Sequence, residues 1–282
     1  MPRMVRVRDR LDALVATHDV AQNLAADPLG FVHRAAPEDR EVVALLAATL
    51  AFGNVKAIRA SIARVLSVLG ESPAATIDRE DEAALAARLT GFVHRVYKGP
   101  DVARMLANAG ALRREHGTLG AFFAARYREH GDLREALALL ADALRYATPT
   151  AQRAASRGLA HLVPDPRKGS ASKRLLLWLR WMVRPADGVD LGLWDVPAAA
   201  LVVPVDTHVH RIALNLGLTR RRDASWRTAE EITAALRRFD ATDPVKYDFA
   251  ICHLGVSRSC PSRRDPLKCS ACVVRDACLH WR

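Results

Sequence analysis

The sequence has no apolar run long enough to cross a bilayer, since its longest, residues 42–53, is far shorter than a transmembrane helix. No apolar segment follows the basic residues at the start of the chain, as it would in a secretory signal. We therefore predict a cytoplasmic protein without membrane contact. Only five cysteines occur, and four of them lie between positions 260 and 278, which favours metal binding over disulfides.

Patterns typical of β-strands are equally scarce, because no useful stretch alternates apolar and polar residues. Helical spacing recurs instead almost throughout, divided by short joints that contain glycine or polar residues. An apolar helix after Asp39 ends at a Phe52-Gly53-Asn54 break, and a second helix starts at Lys56. We predict an all-α fold, with further helices over residues 82–90, 99–115, 118–130, 131–147 and 150–162.

Acidic residues are outnumbered, because 31 Asp and Glu face 42 Lys and Arg, which gives a formal net charge of +11. An excess of this size favours a polyanionic partner such as nucleic acid. The alternative is a basic surface without a specific partner. Lysine itself is rare, and the chain holds only Lys56, Lys98, Lys168, Lys173, Lys246 and Lys268.

The most apolar helix is predicted to begin close to Lys173. Apolar residues between positions 175 and 183 recur with i, i+3, i+4, i+7 spacing and fill most of the remaining positions, so burial on nearly all sides is expected. Ser170 and Ser172 are both suitable N-caps. Arg184 and the proline after it end the helix.

Four cysteines in a compact arrangement, Cys260, Cys269, Cys272 and Cys278, form a strong metal-binding signal. Four thiolates bind either one zinc ion or one iron–sulfur cluster, and spacing alone does not separate the two. Cys252 precedes them in an apolar helical stretch, so we predict a buried core thiol there, with a ligand role as the alternative. The basic residues around the ligands suit phosphate contacts, or a solvated loop that offsets the thiolates. They are Arg258, Arg263, Arg264, Lys268 and Arg275.

Two segments together resemble the helix-hairpin-helix DNA glycosylase superfamily, whose best-known iron–sulfur member is endonuclease III. Val-Asp-Thr-His-Val-His-Arg at residues 205–211 resembles the segment that bears the catalytic aspartate. Residues 253–260 and the three later cysteines resemble the cluster loop, although the first gap here holds eight residues instead of six. Three further runs, residues 173–184, 190–194 and 244–249, resemble an uncharacterised bacterial subfamily, DUF2400.

The resemblance implies two helical domains with a helix-hairpin-helix at the cleft and a C-terminal [4Fe-4S] cluster loop. Residues 40–175 would form a helical barrel that ends in the hairpin. Residues 1–39 and 176–282 would form the second domain, with the cluster on the four C-terminal cysteines. The implied partner is double-stranded DNA with a damaged base or an abasic site, bound by a monomer located with the bacterial nucleoid.

The hairpin departs from the superfamily pattern. Its usual Leu-Pro-Gly-Val-Gly is replaced within residues 162–173, where Gly169 is the single glycine. We still expect a DNA phosphate to bind at the amides of Gly169 and Ser170, assisted by Lys168. The other DNA contacts that we predict are made by Arg174, His208, Arg211, Arg263 and Lys268.

The implied activity is that of a base-excision-repair DNA glycosylase with AP-lyase activity, in which a lysine is the nucleophile. A lysine amine attacks C1′ of the damaged nucleotide and forms a Schiff base, which arginine cannot do. Lys173 is the preferred nucleophile, because its helix terminus and partial burial favour the free amine; Lys168, or a snorkelling Lys173 without a catalytic role, are the alternatives. Asp206 would stabilise the cationic sugar, and it is equally a natural N-cap.

Lys173 and Asp206 are widely separated in the sequence, which resembles the separation in archaeal 8-oxoguanine DNA glycosylase. This resemblance favours an oxidised purine as the substrate base. Phe52 and Asn54 would contact the extruded base. The alternative is a helix break with Phe52 in the core. His208 and His210 diverge on a helix, and structural roles are expected for both. A glycosylase without lyase activity, and a non-catalytic iron–sulfur or zinc protein that binds nucleic acid, stay open as other functions.

Overall fold

A computed structural model describes residues 3–17, 19–147, 155–256, 260–261 and 263–281. Within these ranges the chain forms sixteen α-helices, several short 3-10 turns and one small β-hairpin. The predicted all-α class is therefore confirmed. The helices are α1 Arg3–Thr17, α2 Val20–Ala26, α3 Leu29–Arg34, α4 Arg40–Thr49, α5 Val55–Leu69, α6 Pro73–Arg79, α7 Glu82–Arg88, α8 Gly99–His116, α9 Leu119–His130, α10 Leu133–Tyr146, α11 Arg157–Leu162, α12 Lys173–Val183, α13 Thr207–Leu216, α14 Trp226–Arg237, α15 Asp248–Val256 and α16 Pro266–Ser270.

The predicted helices match these bounds to within a few residues, except over residues 150–162. That prediction falls partly on residues 150–154, which lie outside the described ranges, and α11 begins at Arg157. The sequence also gave no sign of the hairpin formed by β1 (Val93–His94) and β2 (Tyr97–Lys98). Two-residue strands are too short to produce an alternating pattern.

Two apolar helices, α4 and α12, pack against each other in the core. Every residue of α4 from Glu41 to Thr49 is buried, which agrees with the apolar helix predicted after Asp39. On α12 the indole rings of Trp178 and Trp181 are fully buried. This packing fixes the N-terminus of α12 beside the chain that leaves α4, because a helix held along its length cannot tilt freely at one end.

A buried network of charges attaches α12 to α15. Arg180 on α12 donates to Asp248 (2.6 Å), the first residue of α15, and to Asp190 (3.1 Å). Arg184, one turn later, bonds to Asp190 and Asp243. Removal of one member would leave a buried charge without its partner, which is strongly destabilising. The network therefore fixes α15 relative to α12.

Helix α15 also packs closely against α13. A Cβ atom added at Gly255 on α15 would lie 2.6 Å from Cβ of His208 on α13, so glycine permits this approach. Helix α1 packs against α15 and the 3-10 turn over residues 275–277. None of the described helices is both long and apolar enough to cross a bilayer.

Candidate active site

Lys173 and Asp206 meet at the starts of two helices. Lys173 is the first residue of α12, and Asp206 occupies the N-cap of α13. The Nζ atom of Lys173 lies 3.9 Å from Oδ2 of Asp206, and the side chains are 26% and 22% exposed. Both are thus within reach of a molecule that enters from solvent. Lys168, the rival nucleophile, is exposed in the 3-10 turn that precedes α12.

The two carboxylate oxygens of Asp206 have different partners. Oδ1 accepts hydrogen bonds from the backbone amides of His208 (2.9 Å) and Val209 (2.8 Å), which caps α13 as the sequence predicted. Oδ2 faces Lys173 and accepts a hydrogen bond from the thiol of Cys252 (3.7 Å). The cap therefore fixes the carboxylate and leaves one oxygen directed at the lysine.

Cys252 is a member of this site that the sequence did not indicate. Its side chain is half-buried on α15, where we predicted a buried core thiol. Burial raises the pKa of the thiol well above its usual value, and the nearby Asp206 carboxylate raises it further. The thiol is consequently neutral and acts as a donor. No sequence signal relates positions 206 and 252, because only the contact between α13 and α15 brings them together.

Asp248 is a second carboxyl group close to the pair. It is buried one turn before Cys252 on α15, and its Oδ2 accepts from Arg180. Burial raises the pKa of Asp248, an effect that the Arg180 cation opposes. Oδ1 of Asp248 has no hydrogen-bond partner among the described residues. Asp248 is thus a buried carboxyl whose charge is offset by Arg180.

Phe52 lies on an exposed patch that adjoins the start of α12. Its ring is 36% exposed, so the alternative in which it belongs to the core is wrong. The ring of His161 lies 5.2 Å away, and the guanidinium groups of Arg95 and Arg174 lie 5.0 and 5.8 Å from the Phe52 ring. An exposed aromatic ring flanked by cations is suited to stacking against a nucleobase.

Arg174 connects this patch to the helix termini. Its guanidinium donates to the carbonyl oxygens of Thr49 (3.4 Å) and His161, at the ends of α4 and α11. Burial lowers the pKa of Arg174 to about 10, and no carboxylate contacts it in the described part of the chain. Tyr97 is fully buried and supports the patch, since its ring centroid lies 6.3 Å from that of Phe52 and its hydroxyl bonds to Nδ1 of His161 (2.8 Å). Sequence reasoning missed Tyr97 and His161.

Asn54 has a local structural role. Its side-chain oxygen accepts from the amide of Lys56 (2.9 Å) and so caps α5. Asparagine is among the preferred residues at this position. Its predicted contact with an extruded base stays a prediction.

The turn between α11 and α12 is held by other elements. Gly169 has a φ of +84°, and its carbonyl accepts from the amide of Trp226 (3.0 Å). Ser170, like Lys168, is exposed. Ser172 occupies the N-cap position, as one of the two expected serines, but it has a φ of +47° and its hydroxyl makes no cap bond. The first amides of α12 are therefore not capped by Ser172.

The other predicted side chains on α13 have partners within the protein. His208 packs against Gly255, and Nε2 of His210 bonds to the carbonyl of Arg221 (2.8 Å). Arg211 donates to the carbonyl of Cys260 (2.8 Å), which joins α13 to the cysteine segment. The histidines thus have the structural contacts that were expected, and Arg211 has an anchoring role.

The four C-terminal cysteines line one pocket at the far end of α13. Its walls include Ile212 and Leu216 on α13 and the buried Val274. Burial raises the pKa of the Cys260 and Cys272 thiols. The pocket is therefore lined by all four predicted ligands, Cys260, Cys269, Cys272 and Cys278.

Two kinds of metal centre accept four thiolates, a single zinc ion and an iron–sulfur cluster. A single zinc ion at about 2.3 Å from each sulfur needs thiolates in mutual contact. Within the described residues, no three side chains of cysteine, histidine, aspartate or glutamate are close enough to hold one ion. Four thiols that line one pocket are a ligand set that either a zinc ion or an iron–sulfur cluster can use.

The cysteine segment is attached at both sides. Arg10 on α1 forms an ion pair with Asp276 (2.7 Å), and the amide of Leu279 donates to the carbonyl of Asn215 (2.6 Å) on α13. Arg263 and Lys268 are exposed, as a phosphate contact would require. Arg258, also predicted in this basic group, lies outside the described residues.

Residues 27–257 match the family described as a protein of unknown function, DUF2400. No curated protein and no solved structure matches the sequence.

Proposed function

Because the chain belongs to the DUF2400 family, whose function is unknown, we propose its activity from the site: it is a base-excision-repair DNA glycosylase with AP-lyase activity. The observation that supports this proposal is the contact of Lys173 with Asp206, at 3.9 Å and with both side chains open to solvent. A partly buried amine beside a fixed carboxylate is the arrangement that attack on a sugar carbon needs. The same two residues were predicted from the sequence.

In the proposed reaction, Asp206 takes a proton from the Lys173 ammonium, and the free amine attacks C1′ of an extruded nucleotide. The bond between C1′ and the base breaks, and the base leaves with the bonding electrons and acquires a proton. The sugar ring opens to give a Schiff base between C1′ and Nζ. Loss of a C2′ proton then expels the 3′-phosphate by β-elimination, and water hydrolyses the Schiff base to release the lysine.

Asp206 has a second role while the glycosidic bond breaks. Positive charge develops on the sugar, and a carboxylate held by two amide hydrogen bonds stabilises that charge without rearranging. We assign the extruded base to the exposed ring of Phe52, with Asn54 beside it. An oxidised purine such as 8-oxoguanine is the proposed substrate.

The proposed DNA contacts surround these residues. The exposed turn at Lys168, Gly169 and Ser170 leads into the amides of α12, which would bind one phosphate. Exposed Arg263 and Lys268 on the cysteine segment would bind another. His208, Arg211 and Arg174 are already engaged within the protein, so we expect them to support the interface mainly by position.

For the cysteine pocket we propose a [4Fe-4S] cluster held by Cys260, Cys269, Cys272 and Cys278. Four thiols around one apolar pocket fit it, and Arg211 and Arg275 offset the charge of the thiolates. Such a centre supplies a structural clamp, because base excision requires no electron transfer. Hydrogen bonds from Arg211 to Cys260 and from Leu279 to Asn215 would join the ordered cysteine segment to α13, whose first residue follows Asp206.

Borohydride trapping on duplexes with an abasic site or a damaged base tests the activity, because reduction converts the Schiff base to a stable amine. We expect the wild-type protein to form a covalent adduct and Lys173→Ala to form none. Lys168→Ala should still form adduct at saturating duplex concentration, because loss of its phosphate contact weakens binding but leaves the nucleophile in place. The duplexes would carry 8-oxoguanine, uracil, thymine glycol or an alkylated base. Trapping by Lys173→Ala at the wild-type rate would contradict the lysine assignment.

The same experiment distinguishes the other functions. Release of a base without an adduct would indicate a glycosylase without lyase activity. Binding of damaged duplex with neither base release nor adduct would indicate the non-catalytic protein. Iron and acid-labile sulfide in an anaerobically purified sample support the cluster, whereas a colourless sample with one zinc per chain would contradict it.

A further inference from the structure

We propose that Cys252 is a positioning residue, whose thiol donates a hydrogen bond to Oδ2 of Asp206 and limits how tightly that oxygen pairs with Lys173. The effect on Schiff-base formation rests on the proposed function. The hydrogen bond itself does not, and it can be measured separately. Cys252 would touch neither the sugar nor the base, and it would act through Asp206.

The geometry gives Oδ2 two donors from two different helices. Oδ1 is occupied by the amides of His208 and Val209, which fixes the plane of the carboxylate. Sγ of Cys252 on α15 lies 3.7 Å from Oδ2, and Nζ of Lys173 on α12 lies 3.9 Å from the same atom. The carboxylate cannot turn toward one donor without losing the amides, so the two donors share one oxygen.

The charges around Cys252 favour a protonated thiol, which is the form that donates. Asp206 faces it from the cap of α13, Asp248 from its own helix, and Asp27 from the turn before α3. The opposing cations are Lys173 and Arg180, which is bound to Asp248. His253 lies 3.8 Å from Asp27 and adds a cation only when it is protonated. Three carboxylates and a half-buried position disfavour the thiolate.

The backbone on both sides of Cys252 is fixed. One turn earlier, Asp248 is bound to Arg180, and one turn later, Gly255 rests directly on His208. The thiol is therefore held against Asp206 by contacts at each end of α15. This alignment directs the thiol at Oδ2 of Asp206, the oxygen that makes no cap bond. A side chain that only filled space would not need that direction.

The expected consequence is a shift in pH dependence. In Cys252→Ala, Oδ2 loses its thiol donor and interacts more strongly with the Lys173 ammonium, which stabilises the charged form of the lysine. Formation of the free amine then requires a higher pH. We expect the pH of half-maximal trapping to rise by roughly half a unit to one unit, and trapping at pH 7 to slow about 3- to 10-fold. Cys252→Ser, which retains a donor, should shift less.

Two measurements on the full-length protein test the proposal. First, the infrared difference between wild type and Cys252→Ala isolates the S–H stretching band of this thiol. We expect a frequency below that of a free thiol, which returns toward the free value in Asp206→Asn. A band at the free-thiol frequency, or one whose frequency is unchanged in Asp206→Asn, would overturn the proposed hydrogen bond.

Second, single-turnover trapping on abasic-site duplex is followed across pH for wild type, Cys252→Ala and Cys252→Ser. A purely structural role would lower the rate equally at every pH and leave the midpoint unchanged, and that result would overturn the positioning role. If the wild-type protein traps nothing, the proposed function fails, while the infrared band still decides whether the hydrogen bond exists.

Discussion

Asp206 combines a helix cap and the proposed chemical role in one carboxylate, and each oxygen serves one of them. The cap bonds use Oδ1, and the lysine and the thiol face Oδ2. A substitution that keeps an oxygen acceptor but removes the charge should therefore separate the roles. Such separation is useful because loss of activity in a destabilised variant says little about chemistry.

We predict that Asp206→Asn keeps most of the wild-type stability but loses the activity. Asp206→Ala should lose the activity and also be less stable. Asparagine caps helices as well as aspartate does, and loss of the cap to alanine costs about 1 kcal/mol. Urea unfolding measures the stability, and borohydride trapping measures the activity. Equal stability of Asp206→Ala and wild type would show that the cap contributes nothing.

Residues with distinctive chemistry can be proposed from a sequence, whereas residues that join a site through position alone cannot. Lys173 was proposed because few lysines exist, and Asp206 because its segment resembles the one that bears the superfamily's catalytic aspartate. Cys252, Tyr97 and His161 reach their places through contacts between helices far apart in the chain. Periodicity gives the face of a helix but not its neighbour, so such contacts cannot be inferred from one sequence.

The longer helices were largely predictable, because their apolar residues recur at helical spacing and many begin at a side-chain cap. Asp132 before α10 and Ser225 before α14 are such caps. The turn before α12 was not predictable, since Ser172 adopts a left-handed conformation and makes no cap bond. Bonds to Trp226 and α10 hold that turn, and they come from distant parts of the sequence.

This turn should be sensitive to pH through Asp165. Burial raises the pKa of Asp165, but hydrogen bonds from the Arg167 side chain and amide outweigh it, so the net pKa is lowered. A lowered value in the folded state gives stability that is present above the unfolded value of about 3.9 and lost as the pH falls through the folded one.

We predict that Asp165→Asn is less stable than wild type by about 0.5 kcal/mol at pH 7, as expected for a partly exposed ion pair, and that the difference disappears near pH 2. Urea unfolding at both pH values measures it. Asp195→Asn is the matched control, because that carboxylate is 95% exposed and lies 3.8 Å from Arg128. A difference that persists at low pH would contradict the charge-based explanation.

Across the protein, the proposed chemistry and the cysteine pocket occupy opposite ends of one helix. Asp206 caps the start of α13, and Asn215 and Leu216 near its end line the pocket. Nine residues of α-helix separate such positions by about 14 Å. The exposed turn at Lys168 and the exposed Arg263 and Lys268 would then offer DNA two separate phosphate contacts.

The net charge of +11 makes a general attraction to DNA expected, so a local contact must be separated from it. Lys168→Gln and Arg88→Gln each remove one positive charge, but Arg88 is already paired with Glu80 (2.6 Å), whereas Lys168 is exposed at the proposed phosphate site. The two variants therefore have the same net charge and differ in the contact that is lost.

We predict that only Lys168→Gln changes the salt dependence of binding to an undamaged duplex. Each phosphate contact contributes about −0.9 to the slope of log affinity against log salt concentration, because its formation releases condensed counterions. Fluorescence anisotropy across a range of salt concentrations should give a slope shallower by about that amount for Lys168→Gln and an unchanged slope for Arg88→Gln. Equal slopes for both variants and the wild type would mean that DNA binds elsewhere on the basic surface, and the turn before α12 would lose its assignment as a phosphate site.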